Sequence, residues 1–130
     1  MCLGPQVRKL IPFTISVLDE FRKKKDVIVS ISDAHQSEDR ELKIQGKHSM
    51  RDSWGGQIID ELAILPGEYQ ITKRCYSGAF STPMADVLKR NYVGEVHLLG
   101  LYTSVDVMET AAALFYHGFD LVTYKKGIAD

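Results

Sequence analysis

The sequence has little of what marks disulfide-stabilised, nucleic-acid-binding or membrane proteins. Its 130 residues include two cysteines, Cys2 and Cys75, which are not spaced as a metal knuckle and are too few for a disulfide framework. The formal net charge of −1 provides no basic field for nucleic acid. No uninterrupted apolar run approaches the roughly 18 residues of a membrane span, and the start MCLGPQVRK has no apolar signal core. We therefore expect a protein of the reducing cytoplasm, with neither nucleic acid nor a membrane as its partner.

What is present is the patterning of one soluble α/β domain over residues 1–130. Apolar residues make up 45% of the chain and charged residues 25%, as in an ordinary globular protein. The spacing predicts strands at 27–31, 69–73, 96–99 with Leu101, and 120–124, and helices at 6–25, 57–62, 82–91 and 105–118. Strands that alternate with helices predict a parallel sheet of about four strands. The basic run 22–25 is interpreted as a solvated helix end rather than a nucleic-acid patch.

A strand, a tight turn and a helix follow one another between Glu95 and Phe119, and the rest of the domain is arranged around them. We expect Gly100 to let the backbone turn where the strand ends and Gly118 to end the helix. In a parallel sheet such a turn lies at the carboxyl end of the strand, where ligands bind, and its unpaired N–H groups favour negative charge. Asp106 lies in this turn, and its plainer interpretation is a helix N-cap, a position that aspartate favours.

Asp33, His35 and His48 form the first constellation that could carry chemistry. Asp-x-His just after a strand can place one carboxylate and one imidazole on the same ion. A second histidine from a neighbouring loop gives three ligands and leaves positions for water. The pattern predicts zinc or another divalent metal, and the alternative is a pair of surface histidines without a metal.

Lys73 is the second candidate, because its predicted strand ends at the same edge of the sheet as the turn with Asp106. Near carboxylates such a lysine can hold an anion or relay a proton. The alternative is an exposed strand-end lysine without a chemical role.

Several parts of the sequence resemble a known family. The stretch near Asp106 is similar to the nucleophile segment of the isochorismatase-like cysteine hydrolases, the superfamily of nicotinamidases and N-carbamoylsarcosine amidases. There the pattern reads roughly G-L-x-T-x-x-C-V-x-x-T-A, and the matching residues are Gly100, Leu101, Thr103, Val107, Thr110 and Ala111. Asp33-Ala34-His35 and the segment from His48 to Gly55 match the nicotinamidases, while GKHSMRDSWGGQIIDEL and KRCYSGAFST resemble the N-carbamoylsarcosine amidase branch. The resemblance implies a three-layer, mainly parallel α/β fold, a divalent metal, a small amide or carbamoyl substrate and a homo-oligomer.

The resemblance also implies roles for individual residues. Lys73 matches one of the family's three catalytic residues, and Asp106 takes the place of the nucleophilic cysteine. The backbone amides of Tyr102 and Asp106 would hold the oxyanion, with the family's cis peptide between Leu101 and Tyr102. A carboxylate is a much weaker nucleophile toward amides than a thiolate, and its charge can occupy the donors meant for the oxyanion.

Departures from the family pattern leave several functions open. We expect the chain to lack the family's first strand, which carries the catalytic aspartate, and its C-terminal helix and strand. The loss of a central strand would leave two neighbouring strands with unpaired edges. The first hypothesis is an amidohydrolase of small C–N substrates with little or no activity, and the second is a non-catalytic metal- or ligand-binding module that oligomerises. A third gives Asp106 the role of a carboxylate nucleophile toward a better leaving group.

Overall fold

The computed structural model describes residues 4–130, without the side chain of Gln6, so Cys2 lies outside the described residues. The strands are β1 (Val29–Asp33), β2 (Tyr69–Lys73), β3 (Glu95–Leu101) and β4 (Asp120–Ala129). The helices are α1 (Pro5–Arg8), α2 (Leu10–Lys24), α3 (Leu42–Gln45), α4 (Met84–Arg90) and α5 (Met108–Tyr116). This alternation confirms the predicted α/β class. In the described part of the chain no helix is long and apolar enough to cross a membrane.

The strands form two parallel pairs rather than the single sheet of about four strands that the sequence predicted. Strand β1 pairs with β2 in a register that ends with Asp33 opposite Lys73, and β3 pairs with β4. Strands β1 and β3 share, with α2, the lining of an apolar cavity of about 470 Å³. Each of these two strands keeps one edge without a strand partner among residues 4–130.

Helix α2 supplies one wall of this cavity and is close to its predicted position. It begins at Leu10, so Pro12 lies in the first turn, where a missing N–H group costs no helical hydrogen bond. The basic run at its end is paired with carboxylates: Arg22 Nε lies 2.6 Å from Glu68 Oε1, and Lys24 Nζ lies 2.7 Å from Glu20 Oε1. These pairs support the interpretation of the run as a solvated helix end.

The turn after β3 forms later in the chain than predicted. Strand β3 continues through Gly100 to Leu101, and Gly100 has a φ of 135° at an irregularity in the pairing with β4. Glycine suits this position because its φ lies in a region that other residues avoid. The turn itself is a single π-helical turn, Thr103–Val107, and α5 begins only at Met108.

Helix α5 ends as the sequence predicted and contributes the centre of the core. The Gly118 N–H donates to the Phe115 carbonyl over 2.9 Å, and the Phe119 N–H donates to the Leu114 carbonyl over 3.2 Å. This pair of bonds, with Gly118 at a φ of 93°, is the Schellman arrangement. Leu114 is fully buried, and the residues clustered with it include Ile71, Met84, Leu88, Val96 and Phe119.

The connection between β1 and β2 holds the main errors in the predicted elements. The predicted helix at 57–62 is only a 3-10 turn, Asp60–Leu62, and α3 was not predicted. The chain is extended at Gln57 because it runs closely along the end of β1: a Cβ on Gly56 would lie 3.0 Å from the Asp33 carbonyl oxygen. Strand β1 itself ends at Asp33 rather than at the predicted residue 31, so Asp33 lies on a strand.

Candidate active site

Lys73 lies between two carboxylates at the carboxyl ends of the strands. Its Nζ is 2.6 Å from Asp33 Oδ1 and 2.6 Å from Asp106 Oδ1, and it also donates to the Cys75 carbonyl over 3.0 Å. Asp106 and the Cys75 carbonyl accept hydrogen bonds from Nζ, while Asp33 is an ion-pair partner at close range. Lys73 is only 7% exposed, and its interpretation as an exposed strand-end lysine is wrong.

The surroundings of Lys73 favour its charged form. Burial alone would lower the pKa of Lys73, but Asp33 and Asp106 together outweigh burial and raise the pKa above its ordinary value. The side chain is therefore an ammonium ion at neutral pH. It can hold negative charge in place, but an ammonium has no lone pair, so it could act as a base only after giving up a proton.

Asp106 does not act as the N-cap of the following helix. The N-cap position of α5 is Val107, which makes no side-chain capping bond, because the π-helical turn separates Asp106 from the start of α5. One carboxylate oxygen of Asp106 faces Lys73, and the other accepts the backbone N–H of Tyr102 over 3.4 Å. The N-cap interpretation is therefore wrong, and the carboxylate lies on one of the two amides predicted as oxyanion donors. The peptide bond between Leu101 and Tyr102 is cis, as predicted.

The three predicted metal ligands also come together. One ligand atom from each of Asp33, His35 and His48 lies within 4.8 Å of the other two. Two backbone hydrogen bonds hold the segment after His48 beside His35: the His35 N–H donates to the Ser49 carbonyl over 3.1 Å, and the Arg51 N–H donates to the His35 carbonyl over 2.9 Å. A short parallel bridge between His35 and Met50 therefore brings the two histidines together, although they are far apart in the sequence.

The histidine nitrogens fit a divalent cation such as zinc. His35 is 1% exposed, and its Nε2 is buried without a hydrogen-bond partner in the described part of the chain. The Nδ1 of His48 lies 2.9 Å from the Gly46 carbonyl oxygen, which only accepts, so Nδ1 carries the hydrogen and Nε2 keeps its lone pair. Two imidazole nitrogens and one carboxylate are a common donor set for zinc with an open position. The buried, unpartnered nitrogen of His35 is what a metal would satisfy.

A group of charged residues behind His35 was not predicted from the sequence. Asp39 accepts from His35 Nδ1 over 3.1 Å and from Arg74 Nε over 3.0 Å, and Arg74 holds the pKa of Asp39 well below its usual range although burial opposes this. Glu41 accepts the backbone N–H of Tyr76 over 2.7 Å, and burial raises its pKa. Their only signals in the sequence are the four-residue spacing from His35 to Asp39 and the position of Arg74 next to Lys73.

Cys75 lies close to Lys73 but has the properties of a protonated thiol. Its Sγ lies 3.6 Å from the Ser77 carbonyl oxygen, and Lys73 contacts its carbonyl group rather than its sulfur. Burial, with Glu41 nearby, raises the pKa of the thiol. A reactive thiolate needs a lowered pKa, so Cys75 does not replace the cysteine absent at position 106.

Comparison with known proteins agrees with this geometry. A family model described as the isochorismatase domain matches residues 2–130. The isochorismatase family protein PncA of Bacillus subtilis (strain 168) is 26% identical over 125 residues, which cover 88% of this chain and 68% of PncA.

Two solved structures are similar over nearly the whole chain. The N-carbamoylsarcosine amidase from Thermoplasma acidophilum superposes with a TM-score of 0.96 at 30% identity, over 98% of this chain and 74% of that protein. The pyrazinamidase of Pyrococcus horikoshii, solved in complex with zinc, superposes with a TM-score of 0.88 at 24% identity, over 96% of this chain and 74% of that protein. These likenesses confirm the predicted fold.

Proposed function

This chain belongs to the isochorismatase family, and from that premise we propose that it is a hydrolase-type domain for small-molecule C–N bonds whose amidase turnover is impaired by Asp106. The likeness to a protein named N-carbamoylsarcosine amidase supports a substrate with an amide or carbamoyl group. A cavity of about 580 Å³ that includes Asp33, Arg51, Gln57 and Thr72 in its lining has the volume of a small-molecule site.

Polar groups of the chain would bind and orient such a substrate. The cavity reaches Asp33, which is also one of the three candidate metal ligands. With His35 and His48 this carboxylate would hold a divalent metal, which when bound supplies a Lewis acid to polarise a carbonyl or carboxylate group. Lys73 would contribute a fixed positive charge beside the reacting group.

The contact between Asp106 and the Tyr102 amide is the observation that supports impairment. An amide hydrolase must stabilise the negative charge that develops on the carbonyl oxygen. Here a carboxylate accepts from Tyr102 N–H over 3.4 Å, at the position where the family pattern has the nucleophile. It would repel the developing oxyanion and cannot replace a thiolate toward an amide.

Ammonia release tests this proposal directly. The native protein, loaded with zinc, is incubated with nicotinamide and with N-carbamoylsarcosine, and Lys73→Met is the matched variant. We expect ammonia release from the native protein to equal that from Lys73→Met and the protein-free blank. Turnover by the native protein that Lys73→Met loses would overturn the impairment and leave the assignment to the hydrolases intact.

A second candidate function is a non-catalytic module that binds a metal or ligand and oligomerises. Within residues 4–130, His35 Nε2 has no hydrogen-bond partner and β1 and β3 each have an unpaired edge, and both features favour this function. Native mass spectrometry measures both properties in one experiment. An oligomer with one zinc per subunit and no turnover supports the module, while a metal-free monomer contradicts it.

A further inference from the structure

We propose that Asp39, held by Arg74, is a positioning residue that fixes the tautomer and orientation of His35, so that Nε2 is the atom presented to a metal. The inference concerns a residue that the family resemblance did not single out. It rests on the proposed metal site for its consequence, but the tautomer of His35 can be measured without any metal.

Both carboxylate oxygens of Asp39 contact hydrogen-bond donors. Oδ2 accepts the Gln36 N–H over 2.9 Å and faces His35 Nδ1 at 3.1 Å. Oδ1 accepts from Arg74 through Nε over 3.0 Å and through Nη2. The side chain is only 6% exposed, so water contributes little. An ionised carboxylate only accepts hydrogen bonds, and therefore the Nδ1 atom of His35 must carry the hydrogen.

A neutral imidazole with its hydrogen on Nδ1 has its lone pair on Nε2. That atom is buried and has no hydrogen-bond partner among the described residues. It belongs to the residue that is grouped with Asp33 and His48 as a candidate metal ligand. A metal-binding histidine commonly donates its other ring nitrogen to a carboxylate, which fixes the ring and raises its basicity. Asp39 stands in that relation to His35.

Glu41 is another carboxylate near the ring, and it makes no hydrogen bond to either ring nitrogen in the described part of the chain. Its Oε2 lies 3.8 Å from His35 Nε2, beyond hydrogen-bond distance, while its Oε1 accepts the Tyr76 N–H over 2.7 Å. The tautomer of His35 is therefore determined by the contact with Asp39.

Arg74 connects this arrangement to the site of Lys73. It follows Lys73 in the chain, and its guanidinium bonds Asp39 through two nitrogens and Glu38 Oε1 over 2.9 Å. A guanidinium that contacts one carboxylate through two nitrogens restricts its rotation. Loss of Arg74 should therefore loosen Asp39, and through it His35, without removing any metal ligand.

The test uses Asp39→Asn and Arg74→Met, with Arg22→Met as control. Arg74 and His35 contact different oxygens of Asp39, so asparagine, which has an NH₂ group in place of one of them, can accept from only one of the two. The control breaks another arginine–carboxylate pair, Arg22 with Glu68, that includes none of the site residues. The tautomer is read from the ¹⁵N shifts of the His35 ring in metal-free protein, and the zinc Kd is read by competition with a chelator.

We expect the native protein and Arg22→Met to show hydrogen on Nδ1 and equal zinc affinity. Asp39→Asn should shift the ring toward the Nε2–H tautomer and weaken zinc binding by about 10–100-fold, with a smaller loss in Arg74→Met. Unchanged tautomer and Kd in both variants would overturn the inference. If Asp39→Asn does not fold, the tautomer and the zinc Kd of Arg74→Met decide whether the inference holds. If native protein binds no zinc, the metal proposal fails, while the ring shifts still decide the role of Asp39.

Discussion

The Nζ of Lys73 lies 2.6 Å from Oδ1 of Asp106, so the residue at the nucleophile position of the family pattern is ion-paired with the retained lysine. The Asp33 carboxylate lies at the same distance from Nζ on another side. Lys73 thus joins the candidate metal ligand Asp33 to the turn after β3. The two carboxylates stabilise its charge in a buried position, and they also remove the freedom that an acid–base group needs.

Replacement of Asp106 by asparagine should lower stability. The change keeps the shape of the side chain but leaves buried Lys73 with one carboxylate instead of two. We expect the free energy of unfolding, measured by urea denaturation, to fall by about 1–3 kcal/mol. Glu20→Gln is the control, since the Glu20–Lys24 pair is exposed on both sides and exposed pairs contribute little. An equal or larger effect in the control would contradict the role given to Asp106.

Replacement of Asp106 by cysteine should not restore amidase activity. The thiol would lie beside Lys73, but Lys73 would remain paired with Asp33 and would stay a cation, so it could not take the proton from the thiol. We expect ammonia release from nicotinamide and N-carbamoylsarcosine to stay at the level of the blank. Activity gained by this single substitution, and lost again on alkylation of the new cysteine, would contradict this expectation.

Stability at acid pH should depend on Asp39. Arg74 holds the pKa of Asp39 in the folded protein below its usual range, so between the two pKa values the unfolded chain binds more protons. The contribution is present above the unfolded value of about 3.9 and is lost as the pH falls toward the folded pKa.

Urea denaturation from neutral to acid pH measures this dependence. We expect the free energy of unfolding of Asp39→Asn to fall less at acid pH than that of the native protein. The control is Asp86→Asn, at an exposed position. Parallel curves for native protein and Asp39→Asn would remove Asp39 as a source of the acid sensitivity.

Removal of a candidate ligand should abolish metal binding without unfolding the protein. His48 is on a loop. Among the described residues, the hydrogen-bond partner of its Nδ1 is the nearby Gly46 carbonyl alone. We expect one zinc per native chain by native mass spectrometry and none for His48→Ala, with similar thermal stability of the metal-free proteins. His117→Ala, at an exposed position, is the control. Equal zinc content in both variants would show that the ion binds elsewhere.

Elements whose signals lie within their own stretch of sequence could be predicted from the sequence alone. Strand β2 has the predicted bounds of 69–73, and Gly118 ends α5 because a left-handed residue after a helix is a local backbone requirement. The predicted helix at 57–62 failed because that segment is extended along the end of β1, where Gly56 lies close to the Asp33 carbonyl. Packing against a neighbour decided its conformation, and the local pattern did not contain that neighbour.

The sequence by itself determined the α/β class, the family, and the residue types at positions 33, 35, 48, 73 and 106, because motif spacing and strand ends are properties of the chain. Only the tertiary structure decided that Asp33 and Asp106 both contact Lys73, that Asp106 accepts from Tyr102, and that Asp39 lies behind His35. Distances between atoms on different strands depend on register and side-chain direction. Those are fixed only when the strands pair and the loops pack, which is also why the division into two parallel pairs could not be read from the order of elements.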